Sequence, residues 1–570
     1  MILYIKFSLL ILSITGYFLY FTNKYHIKVS FIPTLLCAWC SGLLFAAGLL
    51  NLLPEAAWLL YLGGFMLLAV SLKHKYMFSG RDRILYASLL LVLVYFFCLM
   101  RNAHFTSYDN FSHWATVVKD MLIEDRMPNF EDTVIRFQSY PLGSSLFLYY
   151  VCRFLGASED CMLWAQMFML ASFLFSLTAF RPKNMNSSGW YAALACLLYS
   201  TWALSVNTTI YELRVDTLLP LAGVAAFAVI YDYRKEPPKA LCYSAAPLIL
   251  LLQIKNSGIF FYAVCVLFLT VYTWEYIRCH KLRFSLTALL LPLSTMYLWK
   301  KHVAFAFPNG METKHSMSAA NYGQVFAKKT AEDLITIARL ILKRFTSSDS
   351  IEVKLMLTLT VLFLILAVLL RSYNQSKKLL CMMAACLGCL SAYTLSLYAM
   401  YIFSMPMGEA SHLASYDRYV LSVLIFIYGI SMILIIYTLN NLSINIEYTG
   451  TKGIHLAKLS VILITASLAL QVRLHVNTFI RQPDFTKTER YSLQQLLLRD
   501  GVQAGDSCLI YCKSTDYNSR YLFYLMRYEL WTNDILVVRE KDFDQYKQKI
   551  SDYDYFMIWD KQSKAAGAAK

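Results

Sequence analysis

Apolar runs long enough to cross a membrane recur along most of this chain, and they rule out a water-soluble globule. A helix needs roughly 20 mostly apolar residues to cross the hydrocarbon core. Runs at or near that length follow one another from Met1 to Leu470, parted mainly by short polar loops. Composition agrees: of 570 residues 58% are hydrophobic and 15% charged, against about 25% charged in soluble domains. The apolar runs predict spans near Met1–Phe21, Val29–Leu50, Glu55–Leu72, Ile84–Met100, Cys161–Phe180, Trp190–Val206, Thr217–Tyr231 and Leu241–Leu252. Further spans are expected at 259–278, Phe284–Trp299, Lys354–Leu370, Leu379–Phe403, Val420–Leu439 and Leu456–Leu470. The expectation is an all-α polytopic membrane protein of about fourteen transmembrane helices. Met1–Phe21 lacks a small-residue cleavage pattern and reads as a retained span.

The loops divide by charge. Lys and Arg crowd the short loops 24–28, 73–83, 181–183, 234–239, 278–283 and 371–378. Placing these in the cytoplasm puts the polar, mixed-charge stretches 101–141, 207–216, 253–258, 300–352 and 404–419 together on the opposite face. The net charge of +16 then reflects orientation in a membrane, and nucleic acid is not an expected partner. The fourteen Cys lie mostly inside apolar runs, as small buried hydrophobes, with no paired CxxC set for a thiolate zinc site.

Residues 1–472 thus form a transmembrane domain with large outer loops 101–141 and 300–352. Residues 473–570 read differently. Helical stretches at Thr486–Arg499 and Ser519–Leu530 alternate with strand-like runs at Ser507–Cys512, Ile535–Arg539 and Tyr553–Trp559. That alternation predicts a small soluble α/β domain, extracytoplasmic by the loop pattern. It has no glycine-rich phosphate loop. No internal repeat stands out, and span centres are nearly free of charge, which weighs against a transporter built from duplicated halves.

Loop 101–141 carries Tyr108-Asp109-Asn110-Phe111-Ser112-His113-Trp114, an acid, an amide, a hydroxyl and an imidazole within seven residues. Trp114, Val117, Val118, Met121 and Leu122 then share one helical face, the pattern of a helix lying flat on a membrane surface with its apolar side down. The run Leu142–Gly156 reads as a second surface or re-entrant helix. A solvated loop between two spans is the plain alternative. Asn110-Phe-Ser112 and Asn207-Thr-Thr209 also fit a glycosylation acceptor pattern.

Ionisable residues gather on the outer face: Asp109, His113, Glu212, Arg214, Asp216, Lys255, His315, Glu409, His412, Asp417 and Arg418. Each alone reads as a solvated or snorkelling end of a span. His113 and His412 lack ligand spacing and read as hydrogen-bonding groups. Together the residues suit one reaction type. A carboxylate accepts the proton of an acceptor hydroxyl, while cations such as Arg418 or Lys255 stabilise a departing phosphate carried by a lipid.

An apolar span, an outer loop with an acidic motif, a surface helix, Tyr140-Pro-Leu-Gly143 and a helix ending in Phe154-Leu-Gly156 follow in that order. The order resembles the GT-C superfamily, polytopic glycosyltransferases that use polyprenyl-phosphate sugars, such as protein O-mannosyltransferases and lipid A aminoarabinose transferases. The likeness is spread over Ile84 to Leu439. In it Asp109 takes the place of the family's first-loop acid, Lys255-Asn-Ser-Gly258 is similar to a Lys-Gly turn, and Asp417-Arg418-Tyr419 to an Arg-Tyr pair before a late span. Many members carry two adjacent acids where this chain has Asp109-Asn110, so a divalent metal is left open, and the three spans before Ile84 are extra. The resemblance implies a GT-C-like membrane glycosyltransferase of cell-envelope glycans, acting at the extracytoplasmic face of a cell membrane, bacterial in type. Asp109 would be catalytic, with His113, Glu212, Arg214, Lys255, Asp417, Arg418 and Tyr419 binding substrate. Its partners would be a polyprenyl-phosphate-linked sugar, a glycan, lipid or protein acceptor, and the bilayer. A flippase, or a polymerase or ligase of lipid-linked polysaccharide, is the competing reading.

Overall fold

The computed structural model describes residues 1–181, 190–207, 209–308, 319–445, 452–473, 482–513, 519–560 and 568–569. Thr208, His315 and the Pro182-Lys183 end of one basic loop lie outside the described residues. Helices dominate because lipid offers backbone groups no hydrogen-bond partners, and a helix satisfies them within one segment.

The first eleven helices are α1 (Ile2–Tyr25), α2 (Ile32–Gly48), α3 (Leu53–Lys73), α4 (Gly80–Leu99), α5 (Ala115–Glu124), α6 (Gly143–Leu155), α7 (Glu159–Phe175), α8 (Trp190–Ser205), α9 (Leu218–Tyr233), α10 (Pro237–Ile254) and α11 (Gly258–Tyr272). Then come α12 (Leu291–Ala306), α13 (Ala331–Thr346), α14 (Ile351–Leu369), α15 (Ser376–Phe403), α16 (Tyr416–Asn445) and α17 (Lys452–Arg473). Among the described residues nine helical segments are long and apolar enough to cross a membrane. The chain is therefore a multi-pass helical membrane protein. Helices α2, α9 and α11 are apolar but shorter, and α8 has 16 residues. Proline opens α2, α3 and α10, where its missing N–H costs no helical bond, whereas Pro292 of α12 follows directly on a π-helical turn, Ser285–Leu290. The spans Glu159–Phe180 and Tyr416–Leu442 are the most enclosed, whereas Leu53–Lys73 and Ser376–Phe403 leave most of their surface outward, toward lipid.

Two expectations for the surface are corrected. Helix α5 does not lie on lipid: Val117, Val118 and Met121 are buried against α6 and α7. Helix α6 is not superficial either, since of its residues only Arg153 escapes full burial, and it packs on α1, α2, α7 and α10. Its polar Ser144 and Ser145 are buried together with its apolar residues, so both sides of this amphipathic helix are covered by protein.

The tail folds as α18 (Glu489–Asp500), β1 (Cys508–Cys512), α19 (Ser519–Leu530), β2 (Ile535–Arg539) and β3 (Tyr555–Trp559). The three strands are parallel in the order β2-β1-β3, with Ile510 opposite Val537 and Met557, and Ala568–Ala569 pairs antiparallel with β3. This small α/β unit lies against loop 101–141. Arg490 Nη2 reaches Glu159 Oε1 at 2.7 Å, and its Nη1 donates to the Phe105 carbonyl at 2.9 Å. Arg136 donates to Asn533 at 3.0 Å and Tyr521 to the Thr106 carbonyl at 3.2 Å. Lys119 is enclosed between the rings of Tyr528 and Trp531, 4.5 and 4.4 Å from their centroids, and donates to the Tyr528 carbonyl at 2.8 Å.

Candidate functional site

Asp109 stands just before a five-residue π-helical turn, Asn110–Trp114. A π-turn inserts one residue into the i→i−4 ladder and re-aims the side chains around it. Thr116 donates its hydroxyl to the Phe111 carbonyl at 2.7 Å. The fully buried Asn110 accepts from the Leu213 amide at 2.9 Å, so the acidic motif is sewn to the 207–216 loop. A fully buried Asn110 cannot serve as a glycosylation acceptor in this fold, and the Asn207 amide is spent on the Arg418 carbonyl at 3.1 Å.

That loop places Asp216 ahead of α9, and Lys255 follows directly on α10. Two close approaches fix Lys255. A Cβ on Gly258 would lie 1.9 Å from the Leu251 carbonyl oxygen, and one on Gly143 would lie 2.5 Å from the Gln253 Cβ. Only glycine lets the starts of α11 and α6 meet the end of α10 so tightly. Arg418 comes from the first turn of α16, where Ser422 donates to the Asp216 carbonyl at 2.7 Å.

These segments converge on one cavity of about 150 Å³ lined by Asp109, His113, Tyr140, Asp216, Lys255, Arg418 and Tyr419, with Tyr108, Ser112, Trp114, Phe137 and Glu409 also on its walls. Arg418 bridges the two acids, its Nη1 3.0 Å from Asp109 Oδ2 and its Nε 3.4 Å from Asp216 Oδ2. Lys255 Nζ lies 3.0 Å from Asp216 Oδ1 and 5.3 Å from the Tyr419 ring centroid. Burial alone would raise the Asp216 carboxyl; the Lys255 and Arg418 cations outweigh it and hold the group below its ordinary range. Burial would likewise lower Lys255, and Asp216 reverses that and keeps the ammonium charged.

His113 behaves differently. Its ring is buried, edge-on to Trp114 and Tyr140, and neither nitrogen has a hydrogen-bond partner among the described residues. Burial, helped by the Lys255 charge, pushes it down to about 3, so it is a neutral imidazole with one donor and one acceptor free.

Five of the eight residues expected from sequence therefore share this cavity: Asp109, His113, Lys255, Arg418 and Tyr419. Glu212 and Arg214 stand behind Asp109, paired with each other, with Arg214 Nε 3.7 Å from Asp109 Oδ2. Asp417 is turned away. Its carboxylate pairs with Arg344, which also holds Glu352 at 3.2 Å. Adjacent helical residues point about 100° apart, so neighbours of Arg418 need not share its cavity. The sequence assigned no site role to Tyr108, Ser112, Phe137 or Ser415. Of these, Tyr108 and Ser112 flank Asp109 and His113 in the motif itself, whereas nothing local marks Phe137 or Ser415.

Among the described residues no three His, Cys, Asp or Glu side chains converge as metal ligands. Asp109 and Asp216 are each already neutralised by fixed cations, a donor set that does not fit a divalent ion. What the arrangement can do is hold a small anion between Arg418 and Lys255 with a carboxylate alongside. No family model matches the chain, and no curated protein matches it.

Proposed function

We propose that this chain is a membrane glycosyltransferase that moves a sugar from a polyprenyl-phosphate-linked donor to an extracytoplasmic glycan, lipid or protein. The observation that carries the reading is the Asp109–Arg418 ion pair sharing one cavity with the Lys255–Asp216 pair at the ends of membrane helices. A lipid-borne substrate explains why such a site is built at the ends of spans. The fourteen-span, GT-C-like topology is part of this reading, with the cavity and the tail on the extracytoplasmic face; it rests on the segregation of basic loops to the other side.

In the reaction the acceptor hydroxyl oxygen attacks the anomeric carbon and forms the new glycosidic bond. The bond from that carbon to the phosphate oxygen breaks, its electron pair leaving with the phosphate. Asp109 takes the hydroxyl proton. Arg418 and Lys255 meet the charge that builds on the phosphate. Before substrate enters, Arg418 is shared between Asp109 and Asp216. A phosphate that engages its guanidinium frees the Asp109 carboxylate to act as a base.

The test compares cells lacking the gene with cells carrying wild type or Asp109→Asn, by mass spectrometry of envelope glycans and polyprenyl-phosphate sugars. A glycan should vanish and its lipid donor accumulate without the gene, and Asp109→Asn should lower transfer per folded molecule by roughly 10²-fold. An unchanged glycan profile in the deletion, or wild-type turnover in purified Asp109→Asn, overturns the reading.

A further inference from the structure

Helix α13 divides the long polar stretch 300–352, and neither its amphipathic pattern nor its apolar surface is explained by the cavity. Its start is built by a capping box. Thr330 accepts from the Asp333 amide at 3.2 Å, and Asp333 accepts from the Thr330 amide at 2.8 Å. Ile337 and Ile341 are buried against α14 and α15. The apolar side is broader than that contact: Ile335 and Leu342, seven residues apart on one face, remain 57% and 64% exposed. Past the first turn the exposed charges are Arg339 and Lys343, spaced i, i+4 beside this apolar strip.

Both ends of the helix are pinned at membrane-boundary depth. Just before it, Lys329 donates to the carbonyls of Ile402 and Met405, each at 2.7 Å, where α15 ends. Near its other end Arg344 holds Glu352 in the first turn of α14 and Asp417 in the first turn of α16. A 16-residue helix is about 24 Å long, so fixing both ends at span termini lays it along the membrane plane. The supporting spans carry exposed Leu357, Val361 and Leu395, an apolar surface continuous with the bilayer.

We propose that α13 lies in the membrane–water interface on the face that carries the cavity, with Ile335 and Leu342 among lipid chains and Arg339 and Lys343 on the headgroups of anionic lipids. The occupant is the lipid leaflet itself, chosen by a wide apolar strip flanked by basic side chains at the depth where spans end. The assignment is independent of the catalytic reading. It also ties the leaflet to the site, because Arg344 holds Asp417, the residue before Arg418.

The full chain is reconstituted in nanodiscs of phosphatidylcholine with a minor fraction of phosphatidylglycerol. A photo-crosslinking benzoyl-phenylalanine is placed at Ile335, Leu342, Glu332 or, as a lipid-facing reference, Leu357, and adducts are read by mass spectrometry. Ile335 and Leu342 should crosslink lipid as Leu357 does and roughly tenfold above Glu332. Yields no higher than at Glu332 overturn the interfacial placement. At Leu342, adducts should be enriched in phosphatidylglycerol over its bulk fraction, by up to about fivefold per basic residue, and the enrichment should disappear in Arg339→Ala/Lys343→Ala. Adducts at the bulk lipid ratio in the wild-type background overturn the anionic-headgroup assignment.

Discussion

Arg490 is the residue whose loss best tests how the tail is attached. It is 4% exposed, and its guanidinium meets Glu159 Oε1 at 2.7 Å, Glu159 Oε2 at 2.8 Å, Glu529 Oε1 at 2.5 Å and the Phe105 carbonyl at 2.9 Å. Arg490→Met keeps much of the packing over Phe111 and Tyr528, whose ring centroids lie 5.2 and 5.5 Å from the guanidinium. It removes the cation between two carboxylates that are 15% and 14% exposed. Breaking a buried pair from one side costs about 3–5 kcal/mol, because the partner charge is left uncompensated. At 1.4 kcal/mol per tenfold, the lower bound raises the population of a detached tail by about 10²-fold. Hydrogen exchange of α19 and of residues 101–110, followed by peptide mass spectrometry, should show that loss of protection while the spans stay protected. Arg490→Met with Glu159→Gln and Glu529→Gln should recover part of it, since no unpaired charge remains. Protection within about twofold of wild type in Arg490→Met would refute the claim that this cluster fastens the tail to the Asp109 loop.

Gly258→Ala puts a methyl where the Leu251 carbonyl oxygen would lie 1.9 Å away. The chain must shift beside Lys255, so a loss of about 1–3 kcal/mol should register as a lower Tm, and a Tm equal to wild type would contradict the close approach. Arg418→Lys keeps the charge but cannot span Asp109 and Asp216 with one planar fork; under the proposed reaction, sugar transfer should fall by about tenfold or more, and full turnover at matched expression would speak against a two-pronged role. The Asp120 carboxyl is buried and pushed up to about 8, first by burial and then by Asp132. A carboxyl raised in the fold favours folding below its unfolded value of about 4 and loses that contribution as pH climbs through the folded value. Asp120→Asn mimics the protonated form, so its Tm should gain on wild type as pH rises from about 4 to about 8 and level off above that, and parallel Tm curves across that range would show the carboxyl does not titrate as stated.

Membrane character and the tail were legible from residue order alone, because both depend on local pattern. Apolar runs must become helices where lipid gives backbone groups no partners. The strands at Cys508–Cys512, Ile535–Arg539 and Tyr555–Trp559 stand where β-branched and aromatic runs alternate with helical stretches. The site was legible in part: Asp109, His113, Lys255 and Arg418 stand out as polar groups at the ends of apolar runs. Their convergence is a matter of packing, since 309 residues separate Asp109 from Arg418. It depends on the glycine contacts at Gly143 and Gly258 and on Asn110 bonding Leu213. Tertiary structure alone separated Asp417 from Arg418, because 100° of helical rotation sends one to Arg344 and the other into the cavity. It also decided that α5 and α6 are interior. An apolar face in the sequence demands cover, and only the packed chain determines whether that cover is lipid or protein.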